Sequence, residues 1–192
     1  MKSLILSVAA MLVLLGLSAC GGGSSSVGSG SSSGTKVLSY QNPTQSTEEF
    51  ALVQDSATTS TTLVLDLVGP VSSTAIPACG VAFGFALNDT TQAAWATGPA
   101  LTNGKVFTLS TNLVEGWVKG ASIQGIVANK GIASPAADIS KTAGVLATIK
   151  LTPVQGGASG TVPLADSGLG TYTDSTGSAN GFSIAVGTLS LN

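Results

Sequence analysis

The chain has 192 residues, of which 43% are hydrophobic and only 8% charged, and nine acidic against seven basic side chains leave a formal net charge of −2. All seven bases are lysines and histidine is absent, which excludes a Ser-His-Asp triad, a zinc site built on histidine and an arginine-forked nucleic-acid surface. A body rich in Val, Leu, Ile and Phe is equally unlike a disordered chain.

Residues 1–19 read as a lipoprotein signal peptide. Lys2 supplies the positive start, Leu4 to Leu17 the apolar run, and the small Ser18 and Ala19 precede Cys20 in the form of a bacterial lipobox. An apolar run of about 16 residues is short for a membrane span of about 20, and no basic cluster follows it. Cys20 is therefore the expected lipidation site, and acyl chains such as palmitate would hold the protein on a membrane at about 0.8 kcal/mol per buried methylene. Gly21, rather than an aspartate, follows it, so the expected location is the bacterial cell envelope, at the outer membrane or cell surface.

Residues 20–34 are the lipidated cysteine and a Gly/Ser tether whose random coil reaches roughly 20 Å. Gly28, Gly30 and Gly34 have no strand before them and no helix after, so nucleotide binding is not expected. Residues 35–192 have the length of one domain. With Cys20 lipidated, Cys79 has no partner for an intramolecular disulfide, and with no histidine as base it reads as a small buried hydrophobe.

The body shows short β-branched and aromatic runs divided by Gly, Pro, Asn, Asp and Ser, the pattern of an antiparallel sandwich. Thr61 to Val68 places Leu63, Leu65 and Leu67 on one face. Gly80 to Asn88 turns Val81, Phe83, Phe85 and Leu87 inward, and the small Ala82, Gly84 and Ala86 leave room on the other side for a neighbouring backbone or loop. Short helical turns are expected near Thr90 to Ala96 and Pro135 to Ile139. Further strands are expected at Lys105 to Ser110, Leu113 to Lys119, Ser122 to Ala128, Gly144 to Thr152, Gly160 to Leu164 and Phe182 to Leu191. In the last of these the apolar parity switches between Val186 and Leu189, so a bulge at Gly187 would restore one inward face as the strand crosses between sheets.

Four stretches, Leu63-Val-Leu-Asp-Leu-Val-Gly, Cys79-Gly-Val-Ala-Phe-Gly-Phe-Ala-Leu-Asn, the hairpin from Asn112 to Ala128, and Gly144-Val-Leu-Ala-Thr-Ile-Lys-Leu, together with the closing Asp174 to Leu191 segment, resemble the cohesin family and related carbohydrate-binding modules. The resemblance implies an all-β, antiparallel jelly-roll β-sandwich of about nine strands. It also implies a non-catalytic module that binds a dockerin-bearing protein or a polysaccharide. A self-associating structural envelope lipoprotein, pairing through edge strands, is the alternative.

No cofactor is expected and no enzyme activity. Asp66 and Glu115 could in arithmetic supply a pair of carboxylates, but both read as outward-facing strand residues. Asp166, Asp174 and Asn180 offer oxygen ligands to a metal without the spacing of a calcium loop, and a turn closed by Asx hydrogen bonds is the preferred reading. Flat rings that stack on sugars make Trp117, Trp95, Tyr40 and Tyr172 the candidate ligand-binding residues. Trp117 alternates with Glu115 and Lys119 on an exposed strand face, whereas Trp95 reads as a lid over the core.

Overall fold

The computed structural model describes residues 34–108, 112–129 and 136–192; the signal peptide, Cys20 and all but the last residue of the tether lie outside the described residues. Residues 34–192 form one compact unit. Its strands are β1 (Leu38–Gln41), β2 (Phe50–Gln54), β3 (Leu63–Val68), β4 (Pro77–Leu87), β5 (Ala93–Trp95), β6 (Leu101–Asn103), β7 (Asn112–Lys119) and β8 (Ser122–Asn129). They continue with β9 (Ala137–Asp138), β10 (Val145–Pro153), β11 (Gly160–Val162), β12 (Leu164–Asp166), β13 (Thr171–Asp174), β14 (Ala179–Gly181), β15 (Ile184–Ala185) and β16 (Thr188–Leu191).

Two sheets make the sandwich. Sheet B runs β15-β2-β3-β10-β5, with β6 also on β10, and sheet C runs β14-β13-β4-β8-β7, with β9 and β12 also on β4. A small sheet A, β1-β16-β11, joins the two chain ends of the domain. The segments outnumber the nine strands of the sequence reading because several strands are interrupted. β5 and β6 lie along successive parts of β10, and the run 160–166 divides at Pro163, which has no N–H to donate.

Strict alternation builds the core. Leu63, Leu65 and Leu67 of β3 pair with Leu151, Ile149 and Ala147 of β10, and all six are buried. Val81, Phe83, Phe85 and Leu87 of β4 meet them from sheet C with Ile123 and Val127 of β8. Behind β4, a Cβ at Gly84 would strike Ser167 and Leu169, so the small residue does admit a loop. The C-terminal run behaves as its parity switch suggests: β15 belongs to sheet B, β16 to sheet A, and the crossing is at Val186 and Gly187.

Three local expectations are corrected. Residues 93–95 of the expected helical turn form β5, because Trp95 and Ala94 register with Leu151 and Thr152. Lys105 to Thr108 are not a strand: the N–H groups of Lys105 and Val106 both donate to the carbonyl of Val145, the first residue of β10, and the one-to-one pairing that β6 makes with β10 goes no further. The second helical turn gives way to β9, followed by a 3₁₀ turn at Lys141–Ala143. Among the described residues no helix is long and apolar enough to cross a membrane.

Candidate partner-binding face

Sheet C carries the exposed face that is set up by residue size. On β8, Ile123, Gly125 and Val127 are buried towards the core, so Ser122, Gln124, Ile126 and Ala128 point outward. Register then places Gly80, Ala82, Gly84 and Ala86 of β4, and Thr171 and Thr173 of β13, on the same outer side. Apart from Gln124 and Ile126, the floor is thus made of small side chains. Trp117 of β7, opposite Gln124, stands at one margin with 50% of its surface exposed, and Leu169, 46% exposed, stands over Gly84. Trp117, Lys119, Ser122 and Gln124 line an open depression of about 470 Å³.

The β7–β8 hairpin that presents Trp117 is tied at its turn. Gly120 takes φ +58°, a conformation that glycine adopts without a Cβ penalty, in the two-residue connection between Lys119 and Ser122. The Ala121 carbonyl accepts hydrogen bonds from Leu87 N at 2.8 Å and from Trp95 Nε1 at 3.0 Å. Trp95 is accordingly the buried lid of the sequence reading, with its polar edge holding the hairpin.

The structure does not assemble the other aromatic candidates into a platform. Tyr40 is buried in the core; its hydroxyl donates to Leu52 O at 3.0 Å and accepts from Gly187 N at 2.6 Å, and burial pushes its pKa up to about 12. Tyr172 registers with Val81, so it points to the core side of sheet C, opposite to Trp117, where it sits 6.5 Å from Phe50 and from Phe182. Register across four strands decides this, and ring counting in the sequence has no access to it.

The acidic candidates are also placed. Asp66 lies between the buried Leu65 and Leu67 and points out of sheet B, whereas Glu115, in register with Ile126, points out of sheet C. The two carboxylates are on opposite sides of the sandwich and cannot flank one bond. Asp66 is nonetheless almost fully buried, a correction to its reading as an ordinary outward residue. Asp174 Oδ1 accepts from Thr176 N, Thr176 Oγ1 and Ser178 N, and its Oδ2 from Asn180 Nδ2, so these donors hold its carboxyl down at about 2. Asp166 caps Gly168 N and Ile184 N. These are the Asx-type turns preferred in the sequence reading, with the carboxylate oxygens committed to protein donors. Among the described residues no group of three His, Cys, Asp or Glu side chains comes together as metal ligands.

Asp66 has a consequence for stability that its sequence context does not reveal. Burial and the adjoining Asp55 carboxyl raise its pKa from 3.8 to about 6, against the Thr148 hydroxyl, which donates to it at 2.8 Å. Asp55 moves the other way, held down by the Ala57 N–H and by Asp66. Because the folded pKa of Asp66 is the higher one, its contribution is full below the unfolded value near 4 and is lost as pH rises through about 6. Asp66→Asn should therefore flatten the pH dependence of the melting temperature between pH 4 and 7, by an amount on the order of 1 kcal/mol after solvent screening. An unchanged slope would mean that the pair is not titrating in the folded state.

Comparison with known proteins gives the architecture a family likeness. No protein-family model matches the sequence, and no curated protein matches it significantly. Solved structures do match. A type I cohesin–dockerin complex from Clostridium thermocellum superposes with a TM-score of 0.55 at 13% identity, over 73% of this chain and 95% of that one. The sixth cohesin of a scaffoldin from Acetivibrio cellulolyticus, solved with a dockerin, gives 0.52 at 14% identity over 73% and 95%. The seventh type I cohesin of a scaffoldin from Pseudobacteroides cellulosolvens gives 0.51 at 13% identity over 73% and 88%. The class defined by the fold is the antiparallel jelly-roll β-sandwich. Within that class, the fold of this domain is similar to that of the matched cohesin modules.

Proposed function

We propose that this chain is a non-catalytic, lipid-anchored binding module that presents the outer face of sheet C to a dockerin-type protein on a bacterial cell envelope. The observation that carries the reading is Trp117, half exposed at the margin of a broad face floored mostly by Gly, Ala, Ser and Thr. A large ring beside low side chains is the arrangement of an interface anchor, and aromatic anchors of this kind supply a disproportionate share of binding energy. The dockerins named in the matched cohesin complexes indicate the type of partner. Protein is favoured over polysaccharide because Trp95 and Tyr40 are buried and Tyr172 faces the other way, leaving Trp117 without a second ring on its face.

The test is capture by immobilised residues 34–192 from a surface extract of the source organism, with the wild type and Trp117→Ala compared. Retention of an identified dockerin-bearing protein by the wild type alone supports the proposal. Retention on polysaccharide that depends on Trp117 would assign the face to glycan instead. Anchoring is tested separately: Cys20→Ala should incorporate no labelled palmitate in a bacterial host and should leave the membrane fraction, and a variant that stays labelled would refute lipidation at Cys20.

A further inference from the structure

Sheet C ends in β7, which among the described residues pairs with β8 alone, so the far side of its backbone is open. An open strand edge is a template for another strand, and soluble proteins usually blunt it. This one is not blunted by proline, and Val114, Trp117 and Val118 are exposed along it at 36%, 50% and 52%. Glu115 and Lys119 stand on the same outer face, one on either side of Trp117, and among the described residues no charge of the opposite sign pairs with either.

We propose that β7 pairs antiparallel with β7 of a second copy about a two-fold axis through Trp117. A self-complementary strand must pair each residue with its mirror position, and here the mirror of Glu115 is Lys119. Both charges are then satisfied, twice over, and Trp117 meets Trp117 of the other copy at the axis.

The backbone supports the same register. The two-residue turn closes on the Lys119–Ser122 pair, which exchanges hydrogen bonds, so Trp117 and Glu115 also bond towards β8 and the intervening Val118, Gly116 and Val114 direct their N–H and C=O groups outward. Pairing about Trp117 aligns Val118 with Gly116 of the second copy, joining outward-directed groups on both sides. Glu115 and Lys119 consequently fall in the non-hydrogen-bonded pairs, where side chains approach most closely. On the inner side, Gly116 lets Leu101 pack closely against β7, because a Cβ there would lie 3.2 Å from the Leu101 Cβ. The dimer does not depend on the identity of any dockerin partner: it would extend sheet C across the axis into one continuous face.

Charge reversal reads the register directly. In sedimentation equilibrium of residues 34–192, Glu115→Lys and Lys119→Glu should each weaken association by about tenfold or more, since each places two like-charge pairs across the axis. The double variant should return to within about threefold of the wild type, and added salt should weaken the wild type. Both positions of the test lie on an exposed strand, and thermal melts check that each variant folds. A wild type that stays monomeric to millimolar concentration would overturn the proposal. So would a dimer that is indifferent to the single reversals or is not rescued by the double one.

Discussion

Gly187→Ala is expected to cost about 3 kcal/mol or more of folding stability, far beyond a typical surface substitution. The loss comes from close approach of backbone to backbone. A Cβ at this position would run into the Gln41 carbonyl oxygen and come within 2.9 Å of Tyr40 Cζ. Neither can yield easily: β1 is locked to β16 by the pairs from Leu38–Leu191 to Gln41–Thr188, and the Tyr40 ring is buried with its hydroxyl bonded to both Leu52 O and Gly187 N. Displacing the strand would also strip Gly187 N of its acceptor in a site with little water. Urea unfolding of residues 34–192 measures the effect through the midpoint at constant slope. A loss below about 1 kcal/mol would show that the crossing from sheet B to sheet A relaxes freely, and the close contact could not be what fixes it.

Trp117→Ala should do the reverse, leaving stability within about 0.5 kcal/mol and removing at least about 2 kcal/mol of partner affinity, roughly thirtyfold. The ring is half exposed and contributes little to the core, so its removal leaves no cavity. On binding, the same ring would be desolvated over a face that holds few other large side chains. Calorimetry with the captured partner measures the loss, and a melt of the free variant separates it from misfolding. Wild-type affinity in the variant would move the docking surface away from the β7 margin.

The contrast between these positions shows what the sequence makes legible. Alternation within one strand is a local property, and it placed Val81, Phe83, Phe85 and Leu87 in the core, Trp117 beside Glu115 and Lys119 outside, and a sheet crossing at Gly187. Whatever depends on register between strands distant in the chain was hidden. Tyr40 looks like a ring available for sugar until β1 is paired with β16 and its hydroxyl meets Gly187, 147 residues away. Tyr172 has the same parity as any alternating tyrosine, and only its alignment with Val81 sends it inward. Asp66 fits the pattern of a solvent-facing position, yet Thr148 and Asp55 cover it from neighbouring elements. For Tyr40 a signal was present: Leu38 and Tyr40 alternate with Ser39 and Gln41, the period of a half-buried strand, and both are buried. The expected strand at Lys105 to Ser110, of which residues 109 and 110 lie outside the described residues, is absent over residues 105–108 for a different reason. Its Val and Phe are apolar enough, but the chain leaving β6 reaches Leu146 and then Val145, where β10 begins, and β10 offers no further edge to pair with.

Hydrogen exchange of residues 34–192 with and without the captured dockerin-type partner locates the docking face directly. Docking on the outer face of sheet C adds protection along β7, β8, β4 and β13 and leaves sheet B unchanged. Protection centred on β3, β10 and the 55–62 loop would contradict it and place recognition on the opposite side of the sandwich.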